Sequence, residues 1–566
     1  MMTTEKYGCR ALAAILRGHG VERVMLCPGT RDLPLVMAFA REKGMICNTA
    51  VDERSAAFIA LGQSIASGKA VAAVCTSGTA LLNMAPAVAE AYYRCIPLIV
   101  VSADRPARWI DQADSQTIRQ PGALGNIVKR SYNIVAEAVT ADARWCVERT
   151  LNDAVMTAMT GRPGPVHINV EIDEPISSET EIEEGEYRII KRGETRMSLT
   201  EDARRDFASR MLGKKRVLLL LGGMPPDDRL NRALKRLGGN GNVAVLAEPL
   251  ANVGAGVRNI EATLCLLGEG GRRELKPDLL ITAGGAIVSG LAKKWLRECA
   301  PAEHWHVAEG DAVVDTYMCL TERIDMSPAD FLRETAEAMR HGREYGGEGS
   351  DYGERWMKAS DEAYARTAEI VDNSEWSDLT AVKIISEMIP DGINLQLSNG
   401  MTVRYHEWLS CRKAHRTDCN RGVSGIDGST STAIGAASVY NGMTVLFTGD
   451  MSAQYDIGAL ASWRLAGERF KMVVFANGGG NIFKYIKNTR DTAESERYLY
   501  NRVDTDWRMV CEAYGAAVYE AYDAESLRRQ CAMWLEENDR CSVLVVNTNA
   551  DVNAKIMTEL TKIKKI

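Results

Sequence analysis

The chain has 566 residues, 46% of them hydrophobic and 25% charged, which places it among ordinary soluble globular proteins of roughly two to four domains. Its 68 basic and 75 acidic residues give a net charge of −7 spread along the chain, so no basic block marks a nucleic-acid footprint. No 18-residue apolar run occurs and Met1–Arg10 lacks an apolar stretch, so neither a membrane span nor a signal peptide is expected.

From Val21 onward, short apolar runs alternate with amphipathic stretches. Val21–Leu26, Val71–Cys75, Pro97–Ser102 and Val166–Val170 read as strands, with helical patterns such as Ser55–Ala66 and Ala80–Tyr93 between them. Such alternation predicts βαβ units and a parallel sheet. Polar, acidic Ser177–Arg196 reads as a linker. The pattern then repeats at Arg216–Leu221, Val243–Ala247, Leu279–Thr282 and Trp305–Val307, with Gly222-Gly223 and Gly284-Gly285 following two of these runs. Neither glycine pair forms Gly-x-Gly-x-x-Gly, so packing and turn roles are favoured over nucleotide binding. His304 and His306 alternate along a strand, and the seven histidines show no metal-ligand spacing. Gly342–Gly353 reads as a second linker. The third block, from Trp356, carries strands at Asn394–Ser398, Met443–Thr448, Met472–Ala476 and Val543–Val546, and the chain closes on the basic Lys562–Lys565 tail. The expected fold class is α/β with three doubly wound parallel-sheet domains: 1–180, 195–340 and 356–566. The 14 scattered cysteines form no Cys-x-x-Cys and read as reduced thiols in a cytoplasmic protein, with Cys75, Cys95 and Cys319 in apolar runs.

One constellation in the third block carries chemistry. Strand pattern Met443–Thr448 ends in Gly449-Asp450-Met451-Ser452, and Met472–Ala476 ends in Asn477-Gly478-Gly479-Gly480-Asn481-Ile482-Phe483. If the strands are parallel neighbours, both turns open at the carboxyl edge of the sheet, where open α/β sheets bind ligands. Asp450 supplies a carboxylate and Asn477 an amide oxygen, hard donors suited to Mg²⁺ that also holds phosphate. In the first block, Asp52 and Glu53 precede a small-residue helix, where helix capping alone would account for an acid.

The 26-residue gap between Asp450 and Asn477 resembles the diphosphate-binding motif of thiamine-diphosphate (ThDP) enzymes. Further segments occur in order: Cys27-Pro28-Gly29-Thr30-Arg31, Thr76-Ser77-Gly78-Thr79-Ala80, Ser102-Ala103-Asp104-Arg105-Pro106, Gln116–Gly122, Gly164–Asn169 and Asn420–Gly428. Together they resemble the 2-succinyl-5-enolpyruvyl-6-hydroxy-3-cyclohexene-1-carboxylate synthase family of menaquinone biosynthesis, well in both outer blocks and weakly in the middle. The resemblance implies ThDP and Mg²⁺ (or Mn²⁺) as cofactors, and 2-oxoglutarate and isochorismate as substrates. It implies that Glu53 bonds the N1′ atom of the aminopyrimidine, where desolvation would raise its pKa. By position it implies Asp450, Asn477 and the Gly479 carbonyl as metal ligands. Thr79, Asn399, Gly400, Ile426, Gly449, Ser452, Ile482 and Phe483 fall at cofactor positions, with Ile426 as the apolar wedge. Thr30, Arg31, Arg105, Gln116, Arg404 and Arg421 fall at substrate positions, where guanidinium forks suit dicarboxylates. It also implies a homo-oligomer, dimer or tetramer, with active sites at the subunit interface. The chain departs from the family at Thr30 and Gly400, each where serine is common, at Ala476, and at Gly290, where a basic residue is common; Lys293 or Lys294 could compensate. Two other readings stay open: another ThDP-dependent 2-oxoacid decarboxylase or carboligase, such as an acetohydroxyacid synthase relative, and a non-catalytic nucleotide-binding protein on the same scaffold.

Overall fold

The computed structural model describes residues 2–181, 187–310, 312–342, 350–410 and 413–563. Three parallel sheets carry the fold. The first has six strands: Arg23–Leu26, Ile46–Thr49, Val71–Cys75, Leu98–Asp104, Arg130–Val135 and Val166–Glu171. Counted along the chain, their spatial order is 2-1-3-4-6-5. The third sheet, from Ile393–Leu397, Ala414–Cys419, Thr444–Gly449, Phe470–Ala476, Ala517–Ala521 and Ser542–Asn547, repeats that order. The middle sheet of five runs 2-1-3-4-5. All three therefore reverse direction between strands 1 and 3, so each has a crevice at its carboxyl edge there. The α/β, three-sheet expectation holds.

The central strands are covered on both faces. Val71–Cys75, Val217–Leu221 and Ile393–Leu397 are buried along their whole length, as parallel strands covered by helices on both faces must be. The first and third sheets share one continuous apolar cluster, running from Met25, Phe58 and Val88 to Ile434, Trp463 and Val545. Its centre is a crossing of two helices, Glu53–Ser67 and Ser429–Ala437, each of which follows the second strand of its own sheet. A Cβ on Gly62 would lie 2.0 Å from the Thr432 carbonyl oxygen, and one on Gly435 would lie 2.0 Å from that of Ile59. The backbones touch because both positions lack a side chain. On its other face the third sheet packs with Leu250, Ala262, Leu266 and Val288 of the middle block.

Some expectations are corrected. Parts of the Ser177–Arg196 stretch are strapped onto the first block: Glu179–Glu181 pairs antiparallel with Met2–Thr4, and Asn152 Nδ2 donates to the Arg188 carbonyl at 2.8 Å. The predicted helix Ala80–Tyr93 is two helices, Ala80–Asn83 and Ala85–Arg94, because Pro86 cannot supply the amide a continuous helix needs. Residues 343–349 of the second expected linker, and 564–566 of the basic tail, lie outside the described residues. The glycine pairs serve packing: a Cβ on Gly222 would lie 1.8 Å from the Gly285 carbonyl oxygen. Moreover, Glu248 already accepts the Val288 and Ser289 amides, at 2.5 and 2.7 Å, at the start of helix Gly290–Cys299. His304 and His306 share one face, each 2.9 Å from Thr282 Oγ1. The described cysteines are all free; Cys75 is buried, whereas Cys95 and Cys319 are half-buried.

Candidate active site

At the third sheet's crevice, Thr444–Gly449 and Phe470–Ala476 are adjacent and parallel, with Gly449 opposite Phe475. The register sets the following turns side by side. Asp450 is 2% exposed. Its Oδ2 accepts the Gly478 and Gly479 amides at 2.7 and 3.1 Å, and its Oδ1 accepts the Met451 amide at 2.6 Å. Wrapping two successive amides around one carboxylate needs Gly479 at φ 145°, a conformation side chains disfavour. No described basic side chain pairs with Asp450, and burial pushes its carboxyl up to about 7. Asn477, also buried, donates its Nδ2 to Asp378 Oδ2 at 2.8 Å, while its Oδ1 has no partner among the described residues. A buried carboxylate that no described basic side chain neutralises and an orphaned amide oxygen are the donor set a hard divalent ion requires. The Gly479 carbonyl accepts the Asn481 amide at 2.9 Å and keeps one lone pair. Both side-chain amide atoms of Asn481, a residue the motif reading passed over, are buried without partners among the described residues. Ile482 and Phe483 follow on a short helix and are half-buried.

The crevice's other wall is the turn after Ile393–Leu397. Asn399 is engaged by protein groups: its Nδ2 donates to the Asn420 and Gly425 carbonyls at 2.5 and 2.7 Å, and its Oδ1 accepts Arg421 Nη1 at 3.0 Å. It therefore clamps the Asn420–Gly428 loop. Ser452 Oγ likewise donates to the Ile426 carbonyl at 2.6 Å and fixes half-buried Ile426. Gly400 adopts φ 92°, and its carbonyl accepts Arg404 Nη1. The loop is also held from the first block: buried Glu90 accepts the Gly422 and Val423 amides, both at 2.8 Å. Arg404 and Arg421 lie within electrostatic range of each other and of Lys293; burial and this mutual repulsion lower the pKa of both Arg404 and Lys293. Lys294 instead is exposed and pairs with Glu298 at 3.8 Å. Lys293 is thus the middle-block lysine that faces the arginines.

The first sheet's carboxyl edge holds the remaining candidates. Arg31 is 8% exposed; it donates to the Ile172 carbonyl at 3.1 Å and pairs with Glu174 at 3.0 Å. Thr30 and Thr79 are exposed, and Arg105 pairs with Asp114 at 2.6 Å. Gln116 Nε2 donates to the Ser77 carbonyl at 3.3 Å. Beneath them runs a network that sequence reasoning missed. Gln120 joins the Gly78 amide to Asn169, and Asn169 Nδ2 donates to Asp104 Oδ2 at 2.9 Å. Ser102 Oγ donates to Asn169 Oδ1, so it accepts from His167 Nε2 at 2.8 Å, and His167 Nδ1 accepts from Ser131 Oγ at 3.0 Å.

That pattern fixes a neutral His167, and burial holds its pKa down to about 4. The folded value lies below the unfolded one, so between about pH 6.5 and 4 the unfolded chain binds the extra proton and stability falls as the pH drops. The full window is worth about 3 kcal/mol at roughly 1.4 kcal/mol per unit. Unfolding titrations across it should therefore show a shallower pH slope for His167→Gln than for the parent.

Glu53 opens helix Glu53–Ser67, whose amino terminus is capped by Asp52 accepting the Arg54 amide at 3.0 Å. Its carboxylate is half-buried and accepts Asn83 Nδ2 at 3.4 Å. Around it Val51 is 81% exposed and Leu82 45%. Within the same chain, Arg54 donates to the Tyr455 carbonyl at 2.9 Å, on the helix that leaves Asp450.

The fold and these two crevices define a thiamine pyrophosphate enzyme. The family models "Thiamine pyrophosphate enzyme, N-terminal TPP binding domain" and "C-terminal TPP binding domain" match residues 7–123 and 399–546. Curated relatives named 2-succinyl-5-enolpyruvyl-6-hydroxy-3-cyclohexene-1-carboxylate synthase extend the match over nearly the whole chain. That of Porphyromonas gingivalis is 36% identical, covering 98% of this chain and 96% of the relative. That of Bacteroides thetaiotaomicron is 34% identical over 89% and 92%, and that of Flavobacterium johnsoniae 32% over 98% of both. The chain belongs to the 2-succinyl-5-enolpyruvyl-6-hydroxy-3-cyclohexene-1-carboxylate synthase family. It is a ThDP-dependent enzyme that forms a carbon–carbon bond.

Proposed function

We propose that the chain decarboxylates 2-oxoglutarate and adds the resulting succinyl unit to the ring alkene of isochorismate, giving the product its relatives are named for in menaquinone biosynthesis. The observation that carries the cofactor site is the orphaned Asn477 oxygen in the turn whose Gly478 and Gly479 amides meet buried Asp450, a carboxylate that no described basic side chain pairs. Asp450, Asn477 and the Gly479 carbonyl hold Mg²⁺ or Mn²⁺. Thr79, Gly400 and Gly449 line the cofactor, with Ile426, Ile482 and Phe483 as apolar surface, while Asn399 and Ser452 act by fixing the loop that carries Ile426. Thiamine diphosphate, when bound, supplies the nucleophilic carbon and the electron sink that no side chain provides. Glu53 holds a proton at the N1′ atom. The two anionic substrates are oriented by cations: Arg404, Arg421 and Lys293 on one wall, Arg31 and Arg105 on the other, with Thr30 and Gln116 as polar partners. Arg31 and Arg105 exchange their present carboxylate partners, Glu174 and Asp114, for substrate carboxylates.

The three sheets, with the blocks 1–180, 195–340 and 356–566, act as pyrimidine-binding, central and diphosphate-binding domains. Half-buried Glu53 ringed by exposed Val51 and Leu82 supports a homo-oligomer, dimer or tetramer, in which a second copy covers this face. No described helix is long and apolar enough to cross a membrane, and the free thiols support a cytoplasmic setting.

With ThDP and Mg²⁺, the protein is expected to release CO₂ from 2-oxoglutarate and form the succinylated product when isochorismate is added. Pyruvate is expected to be a poor substrate, because it leaves one cation cluster without a carboxylate. Equal or faster CO₂ release from pyruvate would select the simple decarboxylase reading instead.

A further inference from the structure

The side chain of Asn477 has two chemically different ends, and a divalent cation accepts the oxygen but not the NH₂. At a strand-end turn nothing local dictates which end faces the crevice. The structure supplies the constraint from 99 residues upstream, in Asp378 at the start of helix Asp378–Met388. Asp378 is fully buried, and side-chain donors converge on its carboxylate. Its Oδ2 accepts Asn477 Nδ2 at 2.8 Å and Tyr405 Oη at 2.9 Å, and its Oδ1 accepts Thr548 Oγ1 at 2.5 Å. Asn553 locks the assembly, its Oδ1 accepting the Asp378 amide at 2.9 Å and its Nδ2 donating to Thr548 Oγ1 at 3.2 Å. On the far side, Tyr500 Oη donates to the Asn477 carbonyl at 3.2 Å.

We propose that Asp378 is a positioning residue that sets the orientation of Asn477 and so presents its oxygen, not its nitrogen, to the metal. The inference rests on the reading that Asn477 is a metal ligand. Turning the amide over would set Asn477 Oδ1 against Asp378 Oδ2, oxygen against oxygen, and aim two N–H groups at a cation. The same hydrogen bond pulls electron density toward the free oxygen and strengthens it as a donor, as outer partners of metal ligands do. Tyr405, Thr548 and Asn553 hold Asp378 itself in place; the Thr548 amide also donates to the Ala476 carbonyl at 3.3 Å, a backbone bond that a change of the Thr548 side chain leaves intact.

The test is Mg²⁺ affinity at saturating ThDP, read by calorimetry and, with Mn²⁺, by the loss of the free-ion spin-resonance signal. Asp378→Asn keeps the shape but can donate to Asn477 Oδ1, removing the orientational preference; the expected loss of affinity is about 10- to 100-fold. Its turnover should recover at high Mg²⁺, which raises the metal's half-saturation value with kcat little changed. Thr548→Val removes a donor from the other carboxylate oxygen and serves as the structural control. It should lower the melting temperature of the metal-free protein while leaving Mg²⁺ affinity within about threefold, small against the effect expected of an outer-partner change. The exchange Asp378→Asn with Asn477→Asp restores a donor–acceptor pair and a ligand oxygen, and should bind Mg²⁺ more tightly than either single variant.

Parent-like affinity in Asp378→Asn overturns the proposal. So does an equal loss in Thr548→Val, or failure of the paired exchange to improve on the singles. If Asp378→Asn does not fold, the paired exchange alone decides. Asn477→Ala with unchanged Mg²⁺ affinity would instead refute Asn477 as a ligand, and with it the reading beneath this one.

Discussion

Glu53→Gln is expected to lower turnover about 100- to 10,000-fold, the range for removing a positioned proton-transfer group. The substitution isolates chemistry from folding. Glu53 is in the first turn of its helix, but the cap there is made by Asp52, which is untouched. Loss of one first-turn charge costs at most about 1 kcal/mol. The amide oxygen of glutamine can still accept from Asn83, the partner of Glu53 here. The melting temperature should therefore stay within a few degrees of the parent, and calorimetry should find ThDP and Mg²⁺ bound with affinity reduced less than about tenfold, one tenfold step being about 1.4 kcal/mol. Retained turnover would remove Glu53 from the proton-holding role. Loss of both turnover and folding would show a structural one.

Gly435→Val should produce the largest loss of stability. Helix propensity alone predicts a small gain from replacing a helical glycine, up to about 1 kcal/mol for alanine. The structure reverses that sign. A Cβ at position 435 would meet the Ile59 carbonyl oxygen at 2.0 Å and its carbon at 2.8 Å, so the obstacle is backbone rather than a movable side chain. The helices must separate, opening the apolar cluster that joins the first and third sheets. A loss of about 3 kcal/mol or more is expected, at or above the top of the usual range for overpacking. Denaturant unfolding should also lose cooperativity between the outer blocks. Gly270→Ala is the control: it lies in a helix with nothing within 4 Å of its Cβ, and should be neutral or slightly stabilising. Equal losses in the two variants would show that the crossing is not what the glycine at 435 protects.

The crossing was not legible in the sequence, and neither was much of what holds the site. Gly62 and Gly435 sit in unremarkable small-residue helices, and their partners, Thr432 and Ile59, are 370 and 376 positions away. Asp378 reads as an ordinary first-turn acid, and Glu90 as one more helix carboxylate. Their roles depend on which distant amides they meet: Asn477 for one, Gly422 and Val423 for the other. The bonds that Asn399 makes to the Asn420–Gly428 loop were not legible, because an amide's direction follows from its neighbours. Lys293 and Lys294 are chemically identical in sequence; the helix face turns one toward Arg404 and Arg421 and the other to solvent.

What the sequence determined by itself follows from locality. Central parallel strands are apolar along their whole length, so Val71–Cys75 could be read residue for residue. Asp450 and Asn477 were legible because each closes such a strand and the spacing between them is a property of the chain alone. The edge strands escaped for the converse reason. Ile46–Thr49, Arg130–Val135, Ala414–Cys419 and Ala517–Ala521 flank the two six-stranded sheets and mix polar with apolar residues. With one side unpaired they need no continuous apolar run, and pairing with a neighbour, not composition, makes them strands. Tertiary structure alone decided these edges, the glycine contact between outer blocks and the orientation of the donor amide, because each is an interaction between groups that the chain keeps far apart.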